Sequence, residues 1–303
     1  MQFEFHTLDV FTDRRFAGNP LAVVLAADGL SQAQMQTVAR EFNLAETVFV
    51  LKPSNPAHSA RMRIFTPATE LPFAGHPIIG TAVLLADLRH QQRDGRQDAL
   101  VTLEQEIGLV RVGVRLEAGR APFAEFDAPK LPEPAGTLAP IEQLCAALGL
   151  LPNEIGFANH RPLRLSAGNA FAFVPVASLE AIARAHVRQP DWKQAFSGQS
   201  LNGAYLYCQE TVHTASQYHA RMFAPDLGVS EDPATGSAAV AFAGLIHRYD
   251  ALPDGQHKRV IEQGYEMGRP SEVSIQLDVV RGDLHSVRIG GSAVRVSEGR
   301  LTI

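Results

Sequence analysis

The sequence predicts an α+β protein built from two related halves, and three observations carry that expectation. Segments rich in β-branched and aromatic residues outnumber segments with helical spacing. A block in the first half recurs in the second. The chain has 303 residues, enough for two domains at roughly 100–200 residues each. Few helices among many strands point to mixed or antiparallel sheets, not to a regular βαβ array.

The first strand is expected over Phe3–Val10, where Phe3 and Phe5 alternate with Glu4 and His6, and further strands over Leu21–Leu25, Thr47–Leu51 and Ala60–Phe65. Between them Met35, Val38, Ala39 and Phe42 recur at helical spacing, with Ser31 placed to cap. A second helix is predicted over about Pro77–Leu88, then a polar linker at 90–98 and strands near Leu100–Leu103 and Leu109–Val114. Five prolines between 121 and 140 read as an extended crossover between domains. The pattern then restarts with helices near Ile141–Leu148 and Pro233–Arg248 and strands near Ala170–Val174 and Ala204–Tyr207. From Val273 onward, strands are expected to be separated by Gly282, Gly290–Gly291 and Gly299.

Composition narrows the function. The chain is 46% hydrophobic and 19% charged, which excludes disorder as its main character. A net charge of -5 without a Lys/Arg block argues against nucleic acid as partner. No apolar run reaches the roughly 20 residues of a membrane span, and the start MQFEFHTLDV lacks the pattern of a signal peptide. Two cysteines, Cys145 and Cys208, make neither a disulfide framework nor a zinc spacing, which fits a reducing cytoplasm. His213 and His219 could share a strand face, but no third metal ligand is evident. A small-molecule protein without metal is the expectation.

The repeat carries the chemistry. RIFTPATELPFAGHPIIGTAV (Arg63–Val83) resembles RMFAPDLGVSEDPATGSAAV (Arg221–Val240), and His76-Pro77 pairs with Asp232-Pro233 at an offset of 156. Proline favours the first helical position and extends the residue before it. His76 and Asp232 are therefore expected to cap helices starting at Pro77 and Pro233, with Gly80 and Gly236 in the first turns. Helix starts present free N–H groups and favour an anion. If pseudo-symmetry brings the two together, a carboxylate site flanked by His76 and Asp232 results. Glu46 opens an otherwise apolar strand. It is either a strand-end glutamate facing water or a partly desolvated carboxyl suited to proton transfer.

These blocks, with FAGNPLAVV (Phe16–Val24), NLAETVFV (Asn43–Val50) and QGYEMGRPS (Gln263–Ser271), resemble the PhzF family, named for an enzyme of phenazine biosynthesis. The resemblance covers nearly the whole chain. It implies a diaminopimelate epimerase-like fold of two pseudo-symmetric domains, each a β-sheet wrapped around a central helix. The domains would span 1–122, joined by a closing strand at 288–303, and 123–287. The resemblance also implies a homodimer, no cofactor, and a glutamate, here Glu46, that moves a proton on a dihydro-hydroxyanthranilate ring. It gives His76, Asp232 and Ser237 catalytic positions, and places Asn19, Gly75, Gly80, Thr81, Thr235 and Gly236 at the substrate.

The family's related racemases use two thiols, and neither cysteine lies in the repeated blocks. The leading expectation is therefore an isomerase of a small carboxylate-bearing, cyclic or unsaturated metabolite. The alternatives are a non-catalytic member that binds a metabolite or a protein, and an amino-acid epimerase with non-thiol bases.

Overall fold

The computed structural model describes residues 1–90, 95–196 and 201–303. The chain divides into two compact units, Met1–Asp127 with Gly290–Ile303, and Ala128–Ile289.

In the first unit the strands are β1 (Gln2–Val10), β2 (Asn19–Val24), β3 (Glu46–Leu51), β4 (Ala60–Phe65), β5 (Glu70–Leu71), β6 (Arg96–Gln105), β7 (Gly108–Glu117) and β8 (Phe123–Asp127). The helices are α1 (Gln32–Phe42) and α2 (Gly75–Arg89). Each strand except β5 pairs with the next around a ring, β1–β2–β3–β4–β6–β7–β8, which the last strand of the chain closes back onto β1. The ring encloses α2. A helix inside a barrel has no solvent face, which explains why eleven of the fifteen residues of α2 are buried and why it is apolar all round. The outer helix α1 behaves as predicted: the Ser31 hydroxyl accepts from the Gln34 N–H, the Gln34 side chain answers the Ser31 N–H, and Met35, Val38 and Ala39 face inward.

The second unit contains β9 (Glu133–Pro134), α3 (Ile141–Leu148), β10 (Leu163–Ser166), β11 (Ala170–Pro175), α4 (Leu179–Arg184), α5 (Asp191–Ala195) and β12 (Ala204–Cys208). It continues with β13 (Tyr218–Ala224), β14 (Val229–Asp232), α6 (Gly236–Tyr249), β15 (Gly255–Gln263), β16 (Ser271–Val280) and the start of β17 (Asp283–Thr302). Phe242 of α6 anchors the core, with the rings of Phe173, Tyr205, Tyr207 and Tyr218 at 4.8–5.9 Å.

Strand pairing in the two units follows one plan. The series β1–β2 antiparallel, β2–β3 parallel, β3–β4 and β4–β5 antiparallel, β4–β6 parallel, β6–β7 antiparallel recurs as β10–β11, β11–β12, β12–β13, β13–β14, β13–β15, β15–β16. Side chains repeat as well. Arg63 forms a two-pronged ion pair with Glu70 at 2.6 Å and lies over Phe65; Arg221 does the same with Glu231 at 2.8–2.9 Å and lies over Phe223. Glu104 on β6 accepts the N–H groups of Ser54 and Asn55, which hold its carboxyl down at about 2, and Glu262 on β15 accepts those of Val212 and His213.

This pairing corrects the predicted register. Arg63 and Arg221 correspond at an offset of 158, while Glu70 and Glu231, past a hairpin turn three residues longer in the second unit, correspond at 161. At that register Gly75 matches Gly236, and His76 matches Ser237, not Asp232.

The expected helix starts shift accordingly. The helix α2 begins at Gly75 with Ala74 as cap, and α6 begins at Gly236 with Thr235 as cap. Asp232 is the last residue of β14. Gly80 lies in the second turn, and its close neighbours are the Leu21 and Val10 side chains of the barrel wall.

Two smaller expectations also change. Gly290 and Gly299 do not separate strands: both sit within β17, where the Phe123 and Phe5 rings cover the missing side chains. His213 precedes β13 and is exposed, whereas His219 is buried within it, so the two share no strand face. The predicted linker at 90–98 falls partly on 91–94, outside the described residues, and from Arg96 it is strand.

Candidate active site

In the first unit, three side chains from three elements converge. Asn19 opens β2, Glu46 opens β3 beside it, and His76 lies in the first turn of α2. The fully buried Asn19 amide donates to Nδ1 of His76 at 3.3 Å. An Nδ1 that accepts leaves the imidazole proton on Nε2. Nε2 stands 3.3 Å from Oε2 of Glu46, whose side chain keeps 16% exposure. Burial drives the His76 pKa down to about 3, so the ring is neutral at physiological pH. Its Nε2 faces Glu46 at a placement outside hydrogen-bond geometry, and the ring brings no full charge that would pin the carboxyl in its ionised form.

The loop that delivers Asn19 needs its glycine. Gly18 has φ +66, and a Cβ there would meet the Val10 carbonyl at 2.3 Å.

In the second unit the Asp232 carboxylate accepts the Thr235 hydroxyl at 2.6 Å. Thr235 is thus a partner of Asp232 inside the protein. Ser237 is half-buried in the first turn of α6, and the first helical bond of that helix runs from Ala239 N–H to Thr235 O. The turn from Asp232 to Thr235 is held by the following strand's end. Gly264 has φ +80, and a Cβ on it would lie 2.6 Å from the Pro233 carbonyl and 2.5 Å from that of Arg269. We expect Gly264→Ala to cost about 2–4 kcal/mol, measured by urea denaturation at pH 7. A loss under about 0.5 kcal/mol would show that this turn relaxes freely.

Of the other predicted substrate contacts, Gly75 and Gly236 occupy equivalent first helical positions, and Gly80 and Thr81 are buried within the barrel. Sequence reasoning missed two residues. Asn169 follows Gly168 in the same place before β11 that Asn19 holds after Gly18; the repeated Ala-Gly-Asn at 17–19 and 167–169 was the available signal. Gln263 is the second, flagged by the Glu-Gln pairs at 104–105 and 262–263.

The register also shows what the second unit lacks. Thr47 faces Phe65 across β3–β4 as Ala204 faces Phe223 across β12–β13, so the counterpart of Glu46 is Gly203. A side chain there would strike the Phe223 carbonyl at 2.4 Å. The two cysteines are buried on α3 and β12, and burial pushes the Cys208 thiol up to about 12, so neither is a thiolate near neutral pH. Among the described residues no group of three His, Cys, Asp or Glu side chains could hold a metal ion, and no helix is long and apolar enough to cross a membrane.

Residues 8–299 match the family described as phenazine biosynthesis-like protein, PhzC-PhzF. The chain belongs to the PhzF family. Similar proteins include an uncharacterised isomerase of Mesorhizobium japonicum, 51% identical over 97% of both chains. Another is the trans-2,3-dihydro-3-hydroxyanthranilate isomerase of Pseudomonas aeruginosa, 34% identical over 97% of both. A crystal structure of a PhzF-family protein from Bacillus anthracis superposes with a TM-score of 0.88 over the whole of both chains at 26% identity. This PhzF chain is thus an isomerase with an epimerase-like fold.

Proposed function

We propose that this isomerase moves a proton between two carbons of a small carboxylate-bearing, cyclic or unsaturated metabolite, with Glu46 as its only acid/base. The compound acted on by the Pseudomonas aeruginosa relative, trans-2,3-dihydro-3-hydroxyanthranilate, is the substrate to try first. The Glu46 carboxylate takes the proton from one carbon and, now protonated, returns it to the other. The neutral His76 N–H steadies the carboxylate between these steps, and Asn19 holds the tautomer. Asp232 and Ser237 belong to this reading as further catalytic residues, and first-turn N–H groups of α2 suit the substrate carboxylate. A homodimer and a cytoplasmic location belong to this reading.

One observation carries it: the position equivalent to Glu46 is a glycine with no room for a side chain. One carboxylate without a mirrored partner suits a shuttle on one face of the substrate, and disfavours a racemase with two opposed bases. The test is turnover of the dihydro-hydroxyanthranilate in deuterated water, followed by NMR. The expected product carries its transferred hydrogen on the face from which it was removed, with less than one full deuterium. Delivery to the opposite face would reject the single-base shuttle. An inert wild type stabilised by a different carboxylate would reject the substrate.

A further inference from the structure

The end of β15 carries two buried polar side chains on opposite faces. Glu262 serves His219 and the loop at 212–213. Gln263, fully buried, faces the turn that leads into α6. Its Nε2 donates to the Asp232 carbonyl at 2.7 Å and to Oγ1 of Thr235 at 3.1 Å, while its Oε1 accepts the Thr235 N–H at 3.2 Å. The amide orientation is fixed, because a carbonyl can only accept and a peptide N–H can only donate. Both Nε2 protons are therefore in use. With one of them on Oγ1, the Thr235 hydroxyl proton is directed to its remaining neighbour, Oδ2 of Asp232 at 2.6 Å.

The other unit supplies a control. Register across β4–β6 and β13–β15 makes Gln105 the counterpart of Gln263. There the counterparts of Asp232 and Thr235 are Leu71 and Ala74. The Gln105 amide nitrogen and oxygen are buried and have no hydrogen-bond partner among the described residues. The scaffold thus keeps a glutamine at this place in both units, but only the unit that carries a carboxylate wires it.

We propose that Gln263 is a positioning residue for the Asp232 carboxylate, acting through the Thr235 hydroxyl. This rests on the isomerase reading only for what Asp232 then does. Held from behind, Asp232 keeps one oxygen on Thr235, and a bound molecule meets the carboxylate in one rotamer with one oxygen already engaged.

The test reads Asp232 directly. Protein labelled with 13C at aspartate carboxyls is titrated by NMR, and Asp232→Asn assigns the resonance. Gln263→Met removes the donor and Thr235→Val the relay. Each is expected to raise the titration midpoint of Asp232 by about one pH unit, the equivalent of one hydrogen bond to the charged form. In the Thr235→Val background, Gln263→Met is expected to add nothing, because the two act in series. Thr235→Ser should restore the wild-type midpoint, and Gln105→Met should leave it unmoved.

Should Gln263→Met fail to fold, Thr235→Val and its rescue by Thr235→Ser carry the test of the relay. An unchanged midpoint in these variants, or fully additive shifts, overturns the proposal. If the midpoints move as expected while no variant or wild type isomerises the dihydro-hydroxyanthranilate, the positioning role stands and the substrate reading alone fails.

Discussion

Glu46→Gln is expected to lower turnover by at least about a thousandfold with the fold unchanged, within the range a positioned acid/base contributes. Glutamine preserves the volume and leaves an oxygen for the His76 Nε2–H at the 3.3 Å spacing of the wild type, but it cannot carry a proton. Circular dichroism and urea midpoint should match wild type, which separates lost chemistry from lost structure. A variant that kept more than about a tenth of the activity would remove Glu46 from the mechanism. The pH profile adds an independent check. With the His76 pKa driven down to about 3 by burial, no limb between pH 5 and 8 should come from this imidazole. A limb in that window that vanished in His76→Gln would contradict a neutral His76.

The largest effect on stability is expected at His219. This residue lies between Glu262 and Glu266 at 2.8 and 3.0 Å, and Arg221 is 3.9 Å from the latter. Burial alone would lower its pKa, but hydrogen bonds and charge from both glutamates outweigh that and raise it to about 9. His219→Leu would leave the fully buried Glu262 without its cation, and breaking such a pair costs about 3–5 kcal/mol.

The wild type should show the same dependence through pH. A histidine whose folded pKa exceeds its unfolded value contributes fully below about 6.5, and the contribution is lost as pH rises toward 9. The two glutamates, whose carboxyls are lowered in the folded protein, contribute with the opposite sign and lose their part only on acidification. Urea midpoints measured from pH 6 to 10 should therefore fall across the alkaline half, and fall less in His219→Leu. A flat alkaline limb in the wild type would mean that the buried histidine is neutral.

Much of this was legible in the sequence, because the signals were local. Ser31 stands as a cap just ahead of the spacing that makes α1, and the helix at Ile141–Leu148 is legible in the same way. The repeat was visible too, but its register was not. An ungapped comparison matches Pro-x-x-Gly at an offset of 156. The three residues added to the turn between Arg221 and Glu231 show only once strand pairing ties each arginine to its glutamate. That slip put Asp232 on a helix cap, when it ends a strand and takes its hydrogen bond from Thr235. Gln263 was missed for a related reason: its role depends on a turn that lies 28 residues away along the chain. The resemblance places Gly80 at the substrate, and only the barrel wall supplied by Leu21 and Val10 reveals what presses on it.

His76 and Ser237 occupy the same slot, the second residue of a helix that follows the same arginine-clamped hairpin. Duplication supplied two copies of one socket, and divergence then fitted each with a different tool. In the first unit the slot holds the neutral imidazole of His76 beside the Glu46 carboxylate, and in the second it holds the small hydroxyl of Ser237. Because the sockets are held by clamps and barrel walls away from these side chains, either can be refitted without rebuilding its frame. A substitution in one socket therefore leaves the frame of both in place.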